Sequence, residues 1–188
     1  FALPATILAD DGSLIEVDTS LPALPGVGVA GALAGTSSNH LIIAGGANFP
    51  NAPLWETEKV WHDAIHVLDL ASPSDGWSTL EPTLPRATAY GVSLTHPTFG
   101  VISVGGADGT THLDNAFMMT FNDGELVVEP LPNLPTPLAY AAGAIDGDIV
   151  YIVGGQTSPD ATVASDRLFR LNLASLPHSW EELEPLPA

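Results

Sequence analysis

The chain has 188 residues, 45% of them hydrophobic and only 14% charged, so it holds enough apolar side chain for a buried core. Its net charge is −18, with Lys59, Arg86, Arg167 and Arg170 as its only lysine and arginine side chains, a balance that argues against nucleic acid and anionic membrane as partners. No cysteine is present, which excludes disulfides, thiolate metal sites and cysteine nucleophiles, and the 17 prolines and 18 glycines leave little room for long helices. In chain order, Asp11-Gly-Ser-Leu-Ile-Glu-Val17 comes first and parallels Asp123-Gly-Glu-Leu-Val-Val-Glu129. Both read as a tight Asp-Gly turn entering a strand. The first residues, Phe1-Ala-Leu-Pro4, show no basic region before an apolar core, so no signal peptide is visible. No stretch reaches the ~18 apolar residues of a membrane span.

From residue 22 onward one unit recurs three times. It opens with a strand of small residues: Gly28-Val-Ala-Gly-Ala-Leu-Ala34, Ala89-Tyr-Gly-Val-Ser-Leu94 and Ala139-Tyr-Ala-Ala-Gly-Ala-Ile145. An apolar run ending in a glycine doublet follows: Leu41-Ile-Ile-Ala-Gly-Gly46, Val101-Ile-Ser-Val-Gly-Gly106 and Val150-Tyr-Ile-Val-Gly-Gly155. After a polar loop come a third strand, at 64–70, 115–121 and 167–173, and an outer fourth strand, at 77–81, 125–129 and 180–184. Each unit leaves through proline, at 82–85, 130–135 and 185–187. The doublets lie 60 and 49 residues apart, the period of a kelch repeat of roughly 50 residues. Four strands and a glycine doublet per unit predict an all-β, kelch-type β-propeller. Residues 1–21 are then the third and fourth strands of an incomplete blade, and 22–82, 83–131 and 132–188 are whole blades of the same domain. About three and a half blades of a six-bladed ring leave blade faces exposed. A second polypeptide or a continuation carrying the remaining blades is the expected partner.

The segments 28–35, Leu41-Ile-Ile-Ala-Gly-Gly-Ala-Asn-Phe-Pro50, Lys59-Val-Trp-His-Asp63 and Arg86-Ala-Thr-Ala-Tyr-Gly-Val-Ser-Leu94 together resemble the sialic acid mutarotase family, also called N-acetylneuraminate epimerases. The order of the blades resembles that family's cyclically permuted branch. The resemblance implies a six-bladed kelch propeller that interconverts the α and β anomers of N-acetylneuraminic acid. It implies a small sugar acid as ligand, no cofactor, and a periplasmic or secreted location. It also implies a catalytic Glu and Arg in a Gly-Glu…Arg loop of the blade to which residues 1–21 belong. That loop is not among these residues: the doublets are followed by Ala47, Ala107 and Gln156. No catalytic pair is therefore assigned. The other reading is a non-catalytic kelch module that binds carbohydrate or protein through the same loops.

The loops after the doublets and those between blades supply the candidate ligand contacts. The longest, 47–63, carries Asn48, Phe49, Trp55 and His62 as contacts, with Trp55 and Trp61 alternatively pinning the loop. Arg86 is the candidate partner for a ligand carboxylate, or else a structural ion pair with a loop carboxylate. Tyr90 and Tyr140 occupy similar places in successive blades, where their hydroxyls face the axial channel or their rings pack in the core. Asp108, His112 and Gln156 complete the set, as ligand contacts or as ordinary loop residues. His62 and His66 do not form a metal pair on this reading, since four residues along a strand separate them by ~13 Å. Residues 108–114 lack the ligand pattern of a calcium loop. Asn122-Asp-Gly-Glu125 reads as a hairpin turn.

Overall fold

The computed structural model describes residues 7–8, 14–15, 20–51, 56–81 and 83–187. Strands β1 (Ile7–Leu8) and β2 (Leu14–Ile15) pair antiparallel, Ile7 opposite Ile15. The Asp11-Gly12 turn expected between them lies outside the described residues. Three four-stranded antiparallel meanders follow. The first contains β3 (Leu33–Ser37), β4 (His40–Ala44), β7 (Ile65–Asp69) and β8 (Ser78–Leu80). A two-stranded ribbon, β5 (Ala47–Asn48) with β6 (Val60–Trp61), is inserted between β4 and β7. The second sheet is β9 (Val92–His96), β10 (Gly100–Ala107), β11 (His112–Asn122) and β12 (Glu125–Leu131). The third is β13 (Ala142–Asp146), β14 (Ile149–Val153), β15 (Leu168–Asn172) and β16 (Glu181–Leu183).

The sheets stack face to face through alternate residues of each strand. Leu33, Ile42, Ile65 and Val67 of the first sheet meet Val101, Phe117, Met119 and Phe121 of the second. The second sheet's opposite face, with Ile102, Val104 and Leu131, meets Val150, Ile152, Phe169 and Leu171 of the third. Strand β10 is therefore buried along its whole length. The innermost strands also touch through polar groups: the Ser93 and Thr95 hydroxyls of β9 accept hydrogen bonds from the Ala34 and Thr36 amides of β3. The proline-rich exits are tied down in the same way three times. The Leu84, Leu134 and Leu186 amides donate to the carbonyls of Asp63, Asp114 and Asp166 at 2.7–2.8 Å. The outer-strand tryptophans hook onto a preceding exit, Trp77 Nε1 to the Pro22 carbonyl and Trp180 Nε1 to that of Pro132.

One expectation is corrected. The innermost strands start at Leu33, Val92 and Ala142, three or more residues later than the small-residue runs suggest. Ala30, Ala89 and Ala139 make only single bridges, to Ala47, Ala107 and Gln156, and the next residues, Gly31, Tyr90 and Tyr140, take φ of 65°, 60° and 58°. A positive φ cannot continue a strand. The chain turns there and begins its strand afterwards. The 122–125 hairpin is as read, with Asp123 and Gly124 both at positive φ between β11 and β12.

Candidate functional site

The three positive-φ residues form a ladder across the blades. The Tyr90 amide donates to the Gly31 carbonyl at 2.8 Å, and the Tyr140 amide to the Tyr90 carbonyl at 2.9 Å. Gly31 holds the first place because the Tyr90 ring lies on it: a Cβ there would sit 2.3 Å from Tyr90 Cδ1. The Tyr140 ring stacks on the Tyr90 ring with centroids 4.9 Å apart. Each tyrosine also receives an aromatic edge from the blade before it. Trp61 meets Tyr90 at 5.6 Å and His112 meets Tyr140 at 5.9 Å. Trp61 and His112 occupy equivalent register positions, opposite Ala47 and Ala107. The Lys59 ammonium donates to Tyr90 Oη at 2.5 Å and lies 4.3 Å from the centroid of the Tyr90 ring and 4.9 Å from that of Trp61. Non-glycine residues at positive φ are uncommon, and such backbone strain gathers at functional sites.

Asp108 sits beside this stack. Its Oδ1 accepts from the Thr110 and Thr111 amides and the Thr110 hydroxyl, while its Oδ2 meets Arg86 Nε at 2.9 Å. Burial pushes the Asp108 carboxyl up, but those hydrogen bonds and the Arg86 charge outweigh it and hold it below its ordinary value. The Asp108 side chain is 13% exposed and that of Arg86 57%, so the guanidinium is held by one edge and open to solvent along the rest. The His112 Nδ1–H donates to the Gln156 carbonyl at 3.0 Å. Asp108, Thr110, His112, Tyr140, Gln156 and Trp61 line a cleft of about 220 Å³.

The ten candidates thus divide. Asp108, His112, Tyr140 and Gln156 share the cleft; Arg86 joins it through Asp108, and Tyr90 through Tyr140. Asn48 and His62 line a second cavity of about 290 Å³ with Leu24, Val27, Ile43 and His66. There His62 Nε2–H donates to Asn48 Oδ1 at 3.0 Å, and Asn48 Nδ2 donates to the Gly28 carbonyl. Burial lowers the His66 pKa, and its Nδ1 meets the Thr79 hydroxyl at 2.9 Å. Phe49 is exposed, and Trp55 lies outside the described residues. Among the described residues no three His, Asp or Glu side chains are gathered as metal ligands. Sequence reasoning left Lys59 out and read Trp61 as a pin. Two signals were available: Lys59 is the single lysine of a strongly acidic chain, and both residues lie in the Lys59–Asp63 segment that carries the family resemblance.

Three stacked four-stranded meanders with a glycine doublet at the end of each second strand define a kelch-type β-propeller fold. The fold matches the solved structure of YjhT with a TM-score of 0.70 at 18% identity, covering 96% of this chain and 57% of that one. No family model matches the chain. Curated relatives do: the N-acetylneuraminate epimerase of Yersinia pestis (strain Pestoides F) is 30% identical over 114 residues, 54% of this chain and 27% of that protein. The N-acetylneuraminate epimerases of Haemophilus influenzae (strain PittEE) and Pasteurella multocida (strain Pm70) are each 28% identical, over 126 and 138 residues. These relatives, together with the YjhT fold, support a likeness to the N-acetylneuraminate epimerase, or sialic acid mutarotase, family. It spans about a third of the length of the curated relatives it matches.

Proposed function

We propose that the intact protein interconverts the anomers of N-acetylneuraminic acid, or of a related sugar acid, at the end of the propeller that carries the tyrosine ladder. Ring opening needs the proton of the anomeric hydroxyl removed and the ring oxygen protonated as the C–O bond breaks. Reclosure on the other face of the ketone reverses both transfers. The observation that carries this reading is the aromatic cleft beside a cation fixed in place, Tyr140 and Trp61 next to Arg86 on Asp108. Sugar rings offer apolar faces to aromatic rings, and a guanidinium suits a carboxylate. The doublets are followed by Ala47, Ala107 and Gln156, so the acid–base pair is assigned to a blade outside these residues. That blade and the others complete the ring against the exposed outer face of the third sheet.

Exchange NMR on N-acetylneuraminic acid with the intact protein tests the proposal. Anomer exchange faster than the spontaneous rate supports it. The absence of a carboxylate after any doublet favours one other reading, a binding module without catalysis. Saturable binding with no gain in exchange rate would decide for that module.

A further inference from the structure

Lys59 is unusual in this chain. It is the single lysine among 188 residues that include 22 Asp and Glu, yet no carboxylate among the described residues lies within ion-pair distance of it. An ammonium on a surface this acidic would ordinarily find a carboxylate or stand in water. This one is half-buried, tethered to Tyr90 Oη, and held near the rings of Tyr90 and Trp61. An ammonium has three donors. One is spent on Tyr90, so two remain. The hydroxyl accepts from Lys59, which leaves its own proton free to be donated elsewhere. Arg86 is placed differently, because Asp108 offsets its charge through Nε.

We propose that Lys59 is the anchor for the carboxylate of an anionic sugar at the axial end of the propeller, with the Tyr90–Tyr140 stack as the floor beside it and Arg86 in a secondary role. The proposal rests on the sugar-acid reading above and sharpens it. A charge-assisted hydrogen bond from a partly desolvated ammonium is stronger than a neutral one, and two aromatic rings keep competing water away. Without an anionic ligand, Lys59 over Tyr90 would be a purely structural cation–π contact. The test has to separate the two roles.

Calorimetric binding of N-acetylneuraminic acid and of its neutral methyl ester to the intact protein does so. Lys59→Met is expected to weaken the acid at least tenfold and to leave the ester within about twofold. Lys59→Arg should restore most of the affinity, and Arg86→Met should weaken the acid less than Lys59→Met does. Equal losses for acid and ester in Lys59→Met, or no loss for either, would overturn the assignment, as would a larger loss in Arg86→Met. A readout without substitution guards against a misfolded variant. Biosynthetic labelling with [ε-¹³C]lysine leaves the Lys59 ammonium and its three donors intact, and the signal is identified by its absence in Lys59→Arg. A shift of that signal with N-acetylneuraminic acid, galacturonic acid or glucuronic acid, and not with the methyl ester, is expected. A signal that ignores all three acids sinks the proposal. A shift with a uronic acid but not with N-acetylneuraminic acid keeps the anchor and rejects the sialic acid reading.

Discussion

The first two glycine doublets and the third have the same sequence and different surroundings. A Cβ on Gly45 would lie 2.2 Å from the Thr88 carbonyl oxygen, and one on Gly105 would lie 2.3 Å from that of Leu138. The amides of Gly46 and Gly106 donate to those same carbonyls at 2.8 Å. Around Gly154 the nearest atom to such a Cβ is the Ser165 carbonyl oxygen at 3.7 Å, and the Gly155 amide has no partner among the described residues. Each doublet is thus a socket for the segment entering the next blade, filled twice and open once. The sheets repeat the contrast. Phe169 and Ile152 are fully buried on the side toward the second sheet, while Ala142, Ala144 and Asp146 of β13 are exposed. Glycine doublets in this fold are therefore interface residues, and the repeat is stabilised by its neighbours rather than blade by blade.

Substitutions on the two sides of the third sheet should break that symmetry most visibly. Phe169→Ala removes a fully buried ring and is expected to cost about 3–5 kcal/mol in chemical denaturation. Tyr151, one residue before Ile152 and on the opposite face, should cost under about 1 kcal/mol when changed to Ala in the 188-residue chain. Where a further blade packs on this face, as proposed, the Tyr151→Ala cost should rise severalfold; an unchanged cost in the intact protein would argue against such a blade. Next in size is Gly105→Ala, which combines a positive φ costing roughly 1–2 kcal/mol with a clash against a backbone carbonyl. Gly154→Ala in the 188-residue chain should cost only the φ part. Equal costs for the two would remove the distinction between filled and open sockets.

The Arg86–Asp108 pair gives a smaller effect with a definite pH signature. The Asp108 carboxyl titrates below its ordinary value in the folded chain. Its contribution is therefore complete above the unfolded value near ~4 and fades as pH falls through the lowered folded value. Asp108→Asn should lower stability by no more than about 1 kcal/mol at neutral pH, given the exposed guanidinium. Thermal melts should show the gap between wild type and variant closing below the ordinary carboxylate range. A gap that widened in acid would contradict the threonine donors and Arg86 as the cause of the lowered value.

Much of the fold could be read from local signals. The apolar runs and the Asp123-Gly124 turn are each set by neighbours in the chain, and the doublets are legible by their fixed place after those runs. The starts of the second and third innermost strands are not legible because a tyrosine at positive φ announces nothing in a sequence; Gly31 holds the same place in the first blade. Tyr90 and Tyr140 are held there by bridges to Ala107 and Gln156 at the neighbouring positions and by the ladder from blade to blade. The convergence of the candidate cleft was legible in part. Asp108, His112, Tyr140 and Gln156 converge because each occupies a loop position that the repeat brings to one end. Lys59 and Trp61 escaped because what they touch belongs to the following blade.

The smallest effect is expected on the outer rim of the same third sheet. Arg167 forms a two-pronged pair with Glu182, Nε to Oε1 and Nη2 to Oε2 at 2.7 Å each, and its guanidinium carbon lies 4.9 Å from the centroid of the buried Phe169 ring. The pair holds the Glu182 carboxyl below its ordinary value, but both partners are open to water, and salt screens such pairs. Glu182→Gln should lower Tm slightly, by an amount that disappears in 0.5 M sodium chloride. Arg167→Met should lose a similar amount, since the aliphatic chain keeps covering Phe169 while the charge is lost, and Arg167→Ala removes the cover as well. If the two variants lose equal Tm at low salt and neither loses any at high salt, the rim contributes charge alone. If Arg167→Ala falls well below both at either salt concentration, the stem of Arg167 is part of the lid over Phe169. The rim and the buried interface would then act as one unit.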